Sequence, residues 1–130
     1  MPRRLPLLSI LILAAFLRFY RIEAQSFWND EGNSARLAER TANLIISGAA
    51  GDIHPPGYYL LLAGWRLIVG QSEFALRGLS AFAGILLVAF VYRLGYQYFS
   101  GPAAESAAIG AAFFAAIHPA LIYYSQEARM

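Results

Sequence analysis

Cysteine is absent from this chain, which excludes disulfides and thiolate metal sites. Lysine is absent too, and all ten basic residues are arginine. Charge of either sign is scarce. Asp, Glu, Lys and Arg make up 14% of the 130 residues, against about 25% in an ordinary soluble domain. The net charge of +2 is too small and too dispersed for a nucleic-acid surface, so no nucleic-acid partner is expected. Two histidines without further ligands do not make a zinc site, and no metal ligands are assigned. What fills the chain is apolar: 58% of residues are hydrophobic and the mean hydropathy is +0.48. This composition predicts an all-α integral membrane protein, with the lipid bilayer as partner and as the ruler for its elements.

The apolar runs divide the chain. A first membrane helix is expected over 5–21, with Arg4 and Arg21 able to snorkel at its ends. The same stretch resembles a secretory signal peptide, but no small-x-small cleavage site precedes Glu23, which favours an uncleaved helix. Residues 22–77 form a long first loop. Within it an amphipathic helix is expected over 30–47, with Leu37, Thr41, Leu44 and Ile45 on one face and Arg36, Glu39, Arg40 and Asn43 on the other. A second loop helix, 57–69, is too short to span and contains Arg66, so it is read as interfacial. Two further spans follow, 78–99 and 103–124, joined by the Ser100-Gly101-Pro102 turn. Residues 125–130 open a second loop. About three transmembrane helices result, and the polar end at Met130 reads as the start of a longer protein. If 57–69 does not span, the loop carrying Asp30, the start of 78–99 and the Glu127 end share one face of the membrane. Arg3 and Arg4 favour a cytoplasmic N-terminus, although the arginines of the first loop count against that orientation.

Three polar clusters stand between the apolar runs. The first is Asp30-Glu31 within Phe27-Trp28-Asn29-Asp30-Glu31. Adjacent carboxylates beside a membrane segment need a reason. One is helix capping; another is catalysis, since burial against apolar surface raises a carboxyl pKa and suits it to take a proton from a hydroxyl. The second is His54-Pro55-Pro56-Gly57-Tyr58-Tyr59, where two prolines stiffen a turn that aims His54, a donor to phosphate or sugar oxygen. The third is Tyr123-Tyr124-Ser125-Gln126-Glu127-Ala128-Arg129, which offers another carboxylate and another arginine. Arg77, at the head of 78–99, is either an interfacial snorkelling residue or a planar clamp for phosphate.

Taken in order, Trp28-Asn29-Asp30-Glu31, His54-Pro55-Pro56-Gly57-Tyr58-Tyr59-Leu60-Leu61-Leu62, Ser72-Glu73-Phe74-Ala75-Leu76-Arg77 and Tyr123-Tyr124-Ser125-Gln126-Glu127-Ala128-Arg129-Met130 resemble the N-terminal part of the GT-C membrane glycosyltransferases. The likeness is to the bacterial branch related to protein O-mannosyltransferases and lipid A aminoarabinose transferases. It implies a multi-pass enzyme of the bacterial plasma membrane with an extracytoplasmic site. It also implies a polyprenyl-phosphate-linked sugar as donor, and a lipid, protein or cell-envelope glycan as acceptor. On that resemblance Asp30 and Glu31 are the catalytic candidates, and His54, Arg77, Glu127 and Arg129 the substrate-binding ones. A divalent cation is compatible with such a site but not required by the sequence. Family members carry more membrane helices, so these residues alone are not expected to be active. A transporter fragment or a non-catalytic membrane subunit is the competing reading. A transporter would place broken helices at mid-membrane and show an internal repeat.

Overall fold

The computed structural model describes residues 5–24, 26, 28–51 and 55–128, and among them the chain is entirely helical, with seven helices and no strand. The helices are α1 (Leu5–Phe19), α2 (Asn29–Ala38), α3 (Ala42–Ala49), α4 (Pro56–Val69), α5 (Glu73–Tyr98), α6 (Ala104–Ile117) and α7 (Pro119–Ser125). They belong to two compact units. One holds residues up to Tyr20 together with Ala81–Gln126; the other holds Arg21–Ser80 and the residues from Glu127 onward.

The first unit is built on small residues. Ala104, Ala108, Ala112 and Ala116 recur every fourth position of α6, so they form one stripe along the helix, and all four are buried. Ala112 and Ala116 pack with Ile10 and Ala14 of α1 and Val88 of α5. A methyl group on Gly95 of α5 would come within 3.0 Å of the Ala108 backbone, so the helices meet almost backbone to backbone. Small-residue seams of this kind let helices associate by close contact where lipid offers no hydrophobic drive.

Only α5, with 26 residues, is by itself long and apolar enough to cross a membrane among the described residues. At 1.5 Å per residue it reaches about 39 Å. The expected span over 103–124 is not one helix. His118 leaves the helical region at ψ 119°, Pro119 starts α7, and the two axes bend by 57°. The proline has no N–H to continue α6, a signal that the apolar run concealed. The pair α6–α7 passes as a membrane span only when taken together, and α1 is short at 15 residues.

The second unit gathers α2, α3 and the start of α5 around α4. Ala38, Leu62, Leu76 and Ala128 form one buried cluster; Ile45, Ala49 and Tyr59 form another, with Tyr58 and Ala63 touching both. The amphipathic helix expected over 30–47 is two helices. Thr41 is extended, φ −65° and ψ 154°, and it resets the helical phase. The single face drawn through Leu37, Thr41, Leu44 and Ile45 therefore does not exist: Ile45 is buried while Leu44 is 53% exposed. Helix α4 has 14 residues, about 21 Å. It ends at Gly70, whose φ of 94° is a left-handed conformation suited to glycine. Ser72 then starts α5, its Oγ accepting the Ala75 N–H at 3.1 Å. The indole Nε1 of Trp65 donates to the Ala75 carbonyl at 2.7 Å and ties α4 to this first turn.

Candidate functional site

Helical phase separates the two adjacent carboxylates. On α2 the buried positions are Glu31, Ser34 and Ala38, while Asp30, Asn33 and Arg36 are exposed. One residue along an α-helix is about 100° around it, so Asp30 and Glu31 cannot share an environment. Ser34 strengthens the turn by donating its hydroxyl to the Asp30 carbonyl at 3.0 Å.

Glu31, 1% exposed, sits in a closed set of donors. Arg77 approaches it with two parallel hydrogen bonds, Nε to Oε1 at 2.9 Å and Nη2 to Oε2 at 2.8 Å. The Ala128 N–H donates to the same Oε1 at 2.8 Å. Arg77 completes its own shell by giving Nη1 to the Ile22 carbonyl at 2.7 Å, and Glu73 lies 3.8 Å from Nη1, one turn back on α5. Glu127, also buried, adds a further negative charge within electrostatic reach of Arg77. Residues far apart in sequence (22, 31, 77 and 128) thus meet around one carboxylate–guanidinium pair.

The charge balance follows. Burial alone pushes the Glu31 carboxyl up, as expected of a carboxylate beside apolar surface. The hydrogen bonds from Arg77 and the Ala128 amide, with the Arg77 charge, outweigh it, and the net shift is downward. Glu31 is therefore held ionised, the reverse of the raised pKa expected of a proton acceptor. The neighbouring Tyr58 phenol, on α4 beside Ser80, is pushed up to about 12, chiefly by burial. It stays protonated.

The sequence candidates separate accordingly. Asp30 is exposed at the head of α2. Glu31, Arg77 and Glu127 come together in the buried cluster. The Arg77 fork expected to hold a phosphate is engaged by Glu31. His54 and Arg129 lie outside the described residues. Among the described residues, no three His, Cys, Asp or Glu side chains converge as a metal site would require. Two groups escaped the sequence reading: the Ala128 backbone amide, which side-chain patterns do not register, and Ile22, whose carbonyl is invisible to any motif.

The family model described as dolichyl-phosphate-mannose-protein mannosyltransferase matches residues 53–128. The chain belongs to this family. The mannosyltransferase match takes in Arg77 and Glu127 and begins just ahead of His54; Asp30 and Glu31 lie upstream of it, and Arg129 follows it. Membership identifies a membrane glycosyltransferase family for a chain whose helix α5 can cross a bilayer. A search of curated proteins and a search of solved structures each returned no match.

Proposed function

We propose that this chain carries the acceptor-activating part of a membrane glycosyltransferase that moves a sugar from a polyprenyl-phosphate donor to an acceptor hydroxyl. The observation that carries the reading is the division of labour within Asp30-Glu31: one carboxylate is locked inward by Arg77 and Ala128, the other stands exposed beside it. A buried ion pair with all its donors satisfied makes a rigid base for the turn that presents Asp30.

In this mechanism Asp30 accepts the proton of the acceptor hydroxyl as its oxygen attacks the anomeric carbon. The bond from that carbon to the phosphate oxygen breaks, and the polyprenyl phosphate leaves with the extra negative charge. A single displacement inverts the anomeric centre. Glu31 and Arg77 act by holding Asp30 in place. His54 and Arg129 remain the proposed partners of the leaving phosphate, the term that usually contributes most in group transfer. The family description names a mannosyl donor and a protein acceptor, and we take a protein hydroxyl as first choice, with lipid and envelope glycan as the alternatives. We read α1, α5 and the bent α6–α7 as three spans of a bacterial plasma-membrane protein, with the Glu31 cluster on the extracytoplasmic side.

One feature favours the transporter reading: the 57° break between α6 and α7. In a transporter the freed carbonyls at such a break serve ions. Here Arg18 donates to the Ala115 and Ala116 carbonyls, so a protein cation already occupies them. That argues for the transferase.

The test is Asp30→Asn in the intact protein, reconstituted with polyprenyl-phosphate mannose and offered peptide, lipid and glycan acceptors. Loss of transfer with unchanged membrane insertion is expected. Transfer at the normal rate would remove Asp30 from the chemistry.

A further inference from the structure

Within the first unit, helix α5 has a closed side and an open one. Ala81, Gly84, Val88 and Gly95 recur at helical spacing on the closed side. Ala81 and Val88 are fully buried there, and Gly95 meets the Ala108 backbone. A methyl on Gly84 would collide with Ser125 Oγ and come within 2.7 Å of Arg18 Nε, so this corner is tight. Half a turn around, Leu86, Phe90, Arg93 and Gln97 form the opposite stripe, and all four are exposed.

The open side is hollow. Ala83, Leu86, Leu87, Ala89, Phe90 and Arg93 line a groove of about 560 Å³. The two alanines leave the space, the leucines and Phe90 make it apolar, and Arg93 alone among the six is charged. From Ala83 to Arg93 the helix advances about 15 Å. The buried Arg18 is engaged by the Ala115 and Ala116 carbonyls. Arg93 differs: it is exposed and makes no hydrogen bond or ion pair among the described residues. Its planar fork of donors is available to an outside oxyanion.

Depth decides what that oxyanion belongs to. Arg93 stands about 7.5 Å along the axis from the end of α5 at Tyr98. A helix of about 39 Å overreaches a hydrocarbon core of about 30 Å, so Arg93 falls near the boundary between acyl chains and headgroups, within snorkelling reach of it. Tyr96, Tyr98 and Phe99, all exposed, are the aromatic residues that belt such a boundary. We propose that this groove binds an anionic phospholipid, one acyl chain lying along Ala83–Phe90 and the headgroup phosphate held by Arg93. A zwitterionic lipid would fill the same space, but its phosphate already has an ammonium partner. A protein helix packed there would have to bury Arg93 and bring a carboxylate to it. On the spans read above, this end of α5 is cytoplasmic, and anionic lipids give that leaflet its negative potential. The site rests on that reading for its leaflet, not for its chemistry.

The test reads lipid contact directly. Leu87→Cys, introduced into the cysteine-free chain, is labelled with bimane and the intact protein is reconstituted in vesicles of fixed phosphatidylcholine and phosphatidylglycerol content. One lipid or the other carries brominated acyl chains that quench the label. Phosphatidylglycerol is expected to be favoured about fivefold at Leu87, the factor for about 1 kcal/mol from one arginine at an anionic surface. Arg93→Gln should abolish the preference and Arg93→Lys should keep most of it; the side chain is exposed, so neither change threatens the fold. The same label at Phe114→Cys, exposed on α6, should show no preference. Equal quenching by the two lipids at Leu87 overturns the proposal, as does a preference that survives Arg93→Gln or appears equally at Phe114. Absence of quenching by either lipid overturns it too, because protein then covers the groove. Displacement of phosphatidylglycerol by an equal amount of polyprenyl phosphate would give the groove to the sugar donor instead, and would equally refute it. None of these readouts requires sugar transfer, so failure of the transferase reading leaves them unmoved.

Discussion

Removing one partner of the Glu31–Arg77 pair should be among the costliest single changes in the second unit. Both side chains are buried, at 1% and 4% exposure, and joined by two hydrogen bonds of 2.8 and 2.9 Å. Arg77→Met deletes a buried cation and leaves Glu31 its hydrogen bond from the Ala128 amide. Stranding a buried charge in this way costs about 3–5 kcal/mol. Glu31→Leu strands Arg77 instead, with the Ile22 carbonyl still accepting one of its N–H groups, and belongs in the same range. The double variant Glu31→Leu/Arg77→Met removes both members of the pair and leaves neither facing a missing partner, although buried Glu127 still loses the nearby cation. It should therefore cost less than the sum of the two singles by about 2–3 kcal/mol, the upper part of the range for residues sharing one network. Reversible unfolding of the intact protein in detergent micelles, followed by helical signal, would measure all three. If the single variants each cost under about 1 kcal/mol, or if their effects simply add, the pair is not the closed cluster described and the rigid base under Asp30 is lost with it.

Acidification probes the same carboxylate. Because the folded-state pKa of Glu31 is lowered, its stabilisation is fully present above the ordinary carboxylate pKa and is lost as pH falls through the lower folded value. Stability should thus decline on the acid side, and Glu31→Gln should flatten that decline; identical acid profiles would refute it. Gly84→Ala should destabilise by about 1–3 kcal/mol through overpacking against Ser125 and Arg18, read as a lowered melting temperature, and a neutral effect would mean the corner is looser than described. Thr41→Pro tests the break between α2 and α3. Thr41 already has φ −65°, and the substitution should change stability by less than about 1 kcal/mol; a loss of several would show that the segment needs its N–H.

Much of the architecture is legible in the chain because its cause is local. Scarce charge and long apolar runs require helices in a bilayer, and the Pro55-Pro56 pair and the 14-residue length of α4 are properties of that segment alone. The Ser72 cap and the Gly70 stop are likewise short-range. Pro119 is equally local, but the apolar stretches on either side of His118-Pro119 mask that one breaker across 103–124. The α2–α3 break had weaker signals still: Arg40 and Thr41 carry no breaker chemistry, and few apolar residues in 29–38 define a helical phase.

The site divides in the same way. Which residue types are candidates for it (carboxylates beside a membrane segment, a histidine before paired prolines, arginines at helix ends) is written in the sequence, because chemistry belongs to side chains. Which carboxylate turns inward is not. That depends on the rotation of α2 against α4 and α5, which sets Glu31 on Arg77 and leaves Asp30 exposed. Arg18 and Gln126 each reach backbone carbonyls more than 90 residues away. Hydrogen bonds to backbone carbonyls and amides carry no residue identity, so only the folded chain could assign Ala115, Ala116, Ile22 and Ala128 their parts.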